Sequence, residues 1–325
     1  MADISISFIG RFWIYLISNI ASIICSIFVL YYFLFCRKLR QSLYNHVVII
    51  ILIINFIIEI TDISWILYYY RNGIVLINTS LFCRIWKFLD SSSYVTIAKL
   101  VAWASIERYI LIFHGTWMST KKKKILLHYI PITTIVIYGI ILYMIILLFI
   151  SCKRSYYSTI LYCGYSSCAY NSTAYSMFEF ITGGIANAII MVIFSMILII
   201  RLIKQKHRLN QQLNWRKYRK MAIQLLSIVL LFYIFYLPSV IIGILLNCGV
   251  PYSNLKNFLV YGQFFSYYIH FLLPFVCAGT LPHLKMKIKN TLRICPLYKR
   301  GTVEPIQNRI QHGAIDQNSN SHRNC

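Results

Sequence analysis

A bundle of seven membrane-spanning helices with a short amphipathic helix after the seventh span, an all-α membrane protein, is the fold class this sequence predicts. Three observations predict it. Of 325 residues, 59% are hydrophobic and 12% charged, and the mean hydropathy is +0.66; a soluble domain of this length could not hide that much apolar surface. The apolar residues gather into seven runs of spanning length. Threaded through a bilayer, those runs put most lysines and arginines on one side, which fixes the N-terminus outside and the C-terminus inside.

The first run, Phe12 to Cys36, stops at Arg37, Lys38 and Arg40, and the second, His46 to Tyr70, carries Asn55, Glu59 and Asp62 within an isoleucine-rich stretch. The third, Cys83 to Phe113, precedes His114 and the lysines Lys121 to Lys124, and the fourth runs from Ile125 to Ile150 almost without a polar break. A polar, cysteine-rich loop from Ser151 to Ala174 leads to the fifth run, Tyr175 to Ile203. A basic linker joins it to the sixth, Met221 to Leu246, which contains Pro238; the seventh, Phe258 to Leu281, contains Pro274. The inner side then holds Arg37, Lys38, Arg40, Lys121 to Lys124, the Arg201–Lys220 linker and the basic tail, while the outer side keeps only Arg11, Arg71, Arg84, Lys87, Lys153, Arg154 and Lys256. The N-x-[ST] sequons at Asn78 and Asn171 both fall in outer loops, as glycosylation requires.

Residues 1–11 are expected to form a short extracellular N-terminus, with no basic leader or small-residue cleavage site, so that the first span acts as its own insertion signal. Residues 12–281 form the seven-span domain. In 282–295, Leu284, Ile288 and Leu292 share one helical face and lysines occupy others, the pattern of a helix lying on the inner leaflet against anionic lipid. Cys295, directly behind it, is a candidate palmitoylation site. Residues 296–325 are polar and read as a disordered cytoplasmic tail. The net charge of +24 is interspersed with spans rather than gathered on a soluble face, so it describes topology and lipid contact and excludes a nucleic-acid partner.

The third run is the most informative. If helical, Cys83 to Arg108 covers ~38 Å, enough to join the two faces of a bilayer. It carries a cysteine at its head, Asp90 two turns in, and Glu107-Arg108-Tyr109 at its foot. Acids within spans are costly and normally face the bundle interior or water, so Asp90, Glu59, Asp62 and Glu179 are candidate ligand contacts. Together they suggest a negative cleft for a cationic ligand, an amine or a basic peptide. The bland alternative is structural pairing with Arg71, Arg84, Lys87 or Lys99.

Seven spans, an outer N-terminus, and a cysteine 25 residues before the arginine of Glu-Arg-Tyr together resemble the rhodopsin-like (class A) G-protein-coupled receptors, over about residues 12 to 295. The resemblance implies that Arg108 pairs with Glu107 at rest and meets a heterotrimeric G protein when the helices open, with Tyr109 completing the triplet. It implies that Cys83 bonds a cysteine of the second outer loop, which offers Cys152, Cys163 and Cys168; Cys163 is favoured and Cys168 stands close behind. Asn55 occupies the place of the family's sodium-binding aspartate. The family's Cys-Trp-x-Pro reads Phe235-Tyr236-Leu237-Pro238, with Tyr236 in the place of a ligand-sensing tryptophan, and its Asn-Pro-x-x-Tyr reads Leu273-Pro274-Phe275-Val276-Cys277. Pro238 and Pro274 remain as activation hinges. The sixth span opens with Lys217, Tyr218, Arg219 and Lys220, with no acid to clasp Arg108, so a weak resting lock is expected. The implied partners are an extracellular ligand, peptide or amine, and a G protein at the plasma membrane; no cofactor or metal is implied.

Rival classes meet specific objections. A retinal-binding opsin needs a lysine in the seventh span, where this sequence has Tyr267. A seven-helix transporter or channel is the main alternative, and the lack of a detectable internal repeat opposes it. For a membrane enzyme there is no His-Glu-x-x-His and no Gly-x-Ser-x-Gly.

Overall fold

The computed structural model describes residues 6–113, 120–149, 157–164, 169, 172–208 and 212–280. The expected helix at 282–295, Cys295, the tail, Asn171, Cys152 and Cys168 lie outside the described residues. Seven long helices follow one another: α1 (Phe8–Phe35), α2 (Leu43–Asn72), α3 (Ser80–Phe113), α4 (Lys121–Phe149), α5 (Ala174–Arg201), α6 (Ala222–Leu246) and α7 (Asn257–Gly279). All but α3 are both long enough and apolar enough to cross a membrane. At 34 residues, α3 has ample length; Arg84, Lys87, Asp90, Lys99, Glu107 and Arg108 make it more polar than its neighbours.

Which side chains face inward identifies the solvent. On α1 the buried positions are Tyr15, Asn19, Ser22, Ser26, Val29 and Phe33, a stripe at three- and four-residue spacing. Ile9, Trp13, Ile17, Ile20, Ile24 and Ile27 point outward. Hydroxyls and amides buried under an isoleucine exterior invert the soluble pattern, as expected of a helix whose surroundings are lipid.

Packing closes the helices into a bundle in which α1 touches α2 and α7, α6 touches α5 and α7, and α3 lies against α2, α4, α5 and α6. Gly139 brings α4 close to α3, since a Cβ there would fall 2.1 Å from Thr96 Oγ1. Three of the helices are interrupted in ways that matter below. α2 is broken at Thr61, whose hydroxyl turns back to the Ile57 carbonyl at 2.7 Å. α4 contains π-helical turns at Ile125–Tyr129 and Ile145–Phe149, and α5 contains one at Phe180–Ile185. Such wide turns leave carbonyls unclaimed by the helix and recur at functional sites.

Proline acts the same way in α7. Pro274 has no N–H to give the carbonyl four residues back, that of His270. The Asn55 amide takes up that oxygen instead, donating from Nδ2 at 3.1 Å.

Candidate functional site

At one end of the bundle, Cys83 at the head of α3 is disulfide-bonded to Cys163, which settles the pairing left open between Cys163 and Cys168. The bond tethers a tight turn in which Tyr162 and Cys163 hold left-handed backbone angles, φ 54° and 56°, a conformation non-glycine residues seldom adopt. The turn is fixed to the α2–α3 connection by the Val75 amide on the Ser158 carbonyl (2.9 Å) and to the last turns of α2 by the Tyr69 hydroxyl on the Thr159 carbonyl (2.9 Å). Its consequence is to drive Tyr162 into the bundle. The buried ring packs against Trp86 with centroids 5.1 Å apart, and the Lys87 ammonium sits 4.6 Å from its centre. Burial, followed by the nearby Asp90 and Asp62 charges, holds the Tyr162 phenol well above its ordinary pKa, so it stays protonated and can donate.

Asp90 is where that loop, α3 and α7 meet. Its Oδ2 accepts from Lys87 Nζ at 2.7 Å, and the Tyr267 and Tyr162 hydroxyls lie 2.9 and 3.2 Å from its Oδ1. The two phenols also hydrogen-bond each other; each has one hydrogen to give, so one phenol donates to Asp90 and the other donates to that phenol. Asp90 and Lys87 stand on the wall of a cavity of about 330 Å³, at the small end of the range for ligand pockets. Glu179, Tyr143, Tyr94, Ser239, Gln263 and His270 line it as well. Glu179, on the last turn before the π-helical stretch of α5, accepts from the Tyr143 hydroxyl at 2.5 Å.

Of the five candidate ligand contacts, then, Asp90 and Glu179 reach the cavity. Tyr236 is buried, and its hydroxyl donates at 2.6 Å to the Gly183 carbonyl, which lies within the π turn. Asp62 is fully buried and accepts from Trp86 Nε1 at 2.6 Å. Glu59, also fully buried, belongs to a separate polar centre between α1, α2 and α7. Ser22 donates to it at 2.6 Å, Ser26 at 2.9 Å and Asn55 Nδ2 at 2.7 Å. Because the Asn55 amide nitrogen is so engaged, its oxygen faces His270 Nδ1 at 2.8 Å, which must carry the proton. His270 is therefore both a member of this centre and part of the cavity wall.

The other end of α3 departs from the expected Glu107–Arg108 pairing. Glu107 and Arg108 are both buried, and Glu107 accepts from His128 Nδ1 at 2.5 Å, on the π-helical turn of α4. His128 Nε2 meets His46 Nδ1 at 2.9 Å, and His46 Nε2 reaches the Arg40 carbonyl at 2.8 Å. Arg108 donates from Nη2 to the Tyr44 carbonyl at 2.6 Å, lies 4.8 Å from the centre of the Tyr44 ring, and has no partner for Nη1 among the described residues. Tyr109 packs against Phe113 and Phe194, with the Arg201 guanidinium 5.0 Å above its ring. The acid one position before the arginine is thus held from α4, and the arginine from the start of α2.

The alternative of structural pairing holds for Asp90, whose partner Lys87 stands three residues before it on one helix. Sequence reasoning assigned no role in the site to Tyr162, Tyr267, His270, His128 or His46. Among the remaining expected positions, Asn78 is exposed just before α3, and Pro238 and Pro274 lie inside helices.

No curated protein matches the chain. The sequence family described as 7 transmembrane receptor (rhodopsin family) matches over residues 25–278. That stretch takes in the cavity, the disulfide and the buried Glu107-Arg108 pair of positions, and it makes this chain a multi-pass membrane protein that belongs to the rhodopsin family of seven-transmembrane receptors.

Proposed function

We propose that this receptor sits in the plasma membrane with its N-terminus outside, binds a water-soluble ligand bearing a cationic group, peptide or small amine, and passes the event to a heterotrimeric G protein inside. The observation that carries the reading is that one helix, α3, has a polar cavity at its disulfide-tethered end and a buried arginine at the other. Lysine and arginine bias supports the orientation, with Asn78 and Asn171 as outer glycosylation sites. It puts the 282–295 helix, palmitoylated at Cys295, and the 296–325 tail on the inner side. In this reading Glu107, Arg108 and Tyr109 form the switch, and Pro238 and Pro274 are the hinges about which α6 and α7 move. Asp62, Glu59 and Tyr236 act behind the ligand contacts, by holding Trp86, His270 and the α5 carbonyls in place. Arg108 has a backbone carbonyl and an aromatic ring as its partners rather than an acid, so its resting state is weakly locked and basal signalling is measurable.

The test is nucleotide exchange by co-expressed G proteins in membranes containing the full chain. Basal exchange above membranes without receptor is expected, and Arg108→Ala should return it to background. Surface-expressed receptor that raises exchange on no Gα class would overturn the proposal.

A further inference from the structure

Lys99 lies on α3 midway between Asp90 and Arg108, with ~14 Å of helix on either side of it. At that depth its stem is too short to carry the ammonium to a membrane face. A cation inside a membrane span is costly and is normally met by an acid. Lys99 meets none: among the described residues it forms no ion pair. Its ammonium donates to the Thr182 carbonyl of α5 at 2.8 Å and lies 5.4 Å from the centre of the Tyr138 ring of α4. Both partners are neutral.

The packing leaves this cation open to the side. Among the described residues α4 and α5 each pack along α3 but scarcely against each other. The Tyr143–Glu179 hydrogen bond joins them nearer the disulfide end. Beyond it they flank a crevice floored by α3, with Gly139 seating α4 against Thr96 on one side and the π-helical turn of α5 on the other. Lys99, Tyr138 and Thr182 are only partly buried, and the adjoining Ile137 and Ile181 are exposed. In a membrane such surfaces meet acyl chains rather than water.

One turn further along the same face of α3 comes Trp103. Its Nε1 is buried with no hydrogen-bond partner among the described residues, and a buried donor left unpaired is rare in a native fold. The crevice floor therefore presents a cation without a counter-ion and a donor without an acceptor, ~6 Å apart along the helix. Both lack an anionic acceptor. A carboxylate has one negative charge to balance the ammonium and two oxygens, one for each donor. A single-chain acid can also reach this depth through the bilayer, because it enters hydrocarbon as the neutral acid; its proton passes to water once the carboxylate is paired.

We propose that the crevice between α4 and α5 is a binding site for a long-chain fatty acid entering from the bilayer, with one carboxylate oxygen on Lys99 and the other on Trp103 Nε1. The site is separate from the cavity at Asp90 and does not depend on which way the chain is oriented.

Full-length receptor in phosphatidylcholine nanodiscs is titrated with oleic acid, methyl oleate and oleyl alcohol at matched fractions of the membrane lipid, reading the thermal midpoint. Oleic acid should raise the midpoint of the wild type, whereas the ester and the alcohol, which keep the chain and lack the anion, should not. Lys99→Gln should raise the amount of oleic acid needed for half the shift by about 10- to 100-fold. Trp103→Phe, which keeps an aromatic ring and deletes the donor, should raise it several-fold and serves if Lys99→Gln does not fold. An ester or alcohol as effective as the acid, an undiminished response in Lys99→Gln or in Trp103→Phe, or a wild type that does not respond to oleic acid would each overturn the proposal. None of these outcomes bears on the Arg108 exchange assay, so failure here is distinguishable from failure of the receptor reading.

Discussion

His46 Nε2 faces the Arg40 carbonyl oxygen, so that nitrogen carries a hydrogen and Nδ1 of the neutral ring is an acceptor. His128 Nε2 must then donate to it, which leaves His128 Nδ1 and Glu107 sharing a single proton. Whichever of the two holds that proton, Glu107 is compensated without help from Arg108. His128→Leu removes the compensation and leaves a buried acid whose neighbour in sequence is Arg108. The expected result is a tighter lock and a basal exchange rate lower by about 5-fold, the factor that 1 kcal/mol supplies; an unchanged rate would rule out competition between His128 and Arg108 for Glu107. Charged residues such as Asp90, Glu107 and Arg108 were legible in the sequence because burial in an apolar run is costly enough to demand a reason. Their partners were not. Tyr162 and Tyr267 reach Asp90 across 72 and 177 residues of chain, and nothing local marks a tyrosine that will donate to an acid so far away.

Six of the seven spans fall where hydropathy puts them, with edges shifted by a few residues; α1, for example, begins at Phe8 rather than Phe12, while α3 has the length of a span but not the apolar character. Their interior irregularities leave no trace in an apolar pattern, because a π turn and an α turn bury the same isoleucines. Yet the turn at Phe180–Ile185 decides how α5 is wired. The Thr182 carbonyl accepts Lys99 Nζ at 2.8 Å, and the Gly183 carbonyl accepts Asn187 Nδ2 and the Tyr236 hydroxyl, both at 2.6 Å. Tyr236→Phe keeps the ring contact with Tyr94 and deletes the α6–α5 hydrogen bond. It should cost roughly 1 kcal/mol, seen as a thermal midpoint lower by a few degrees, and no loss would show that Asn187 alone satisfies the Gly183 carbonyl. Pro274 was readable as a helix irregularity, whereas the capture of the His270 carbonyl by Asn55 required the helices to be placed side by side.

Across the whole molecule, the Cys83–Cys163 bond closes 80 residues of sequence, spanning the rest of α3, all of α4 and the loop beyond. A chain-entropy treatment gives such a loop roughly 4–5 kcal/mol. Cys163→Ser should therefore sharply reduce the amount of receptor at the cell surface and lower its thermal midpoint; wild-type levels of both would mean that the loop is held by Tyr162 and its partners alone. The bundle arrangement itself puts α3 in contact with four neighbours, and the polar side chains it presents to them bear on how the protein is made. On the scale of translocon insertion, an aspartate, lysine or arginine at the centre of a helix costs about 2.5–3.5 kcal/mol, and α3 carries Asp90 and Lys99 well inside its length. The helix that joins the cavity to the buried Arg108 is thus the one a lipid bilayer accepts least readily alone. Its insertion has to be helped by the spans synthesised on either side of it.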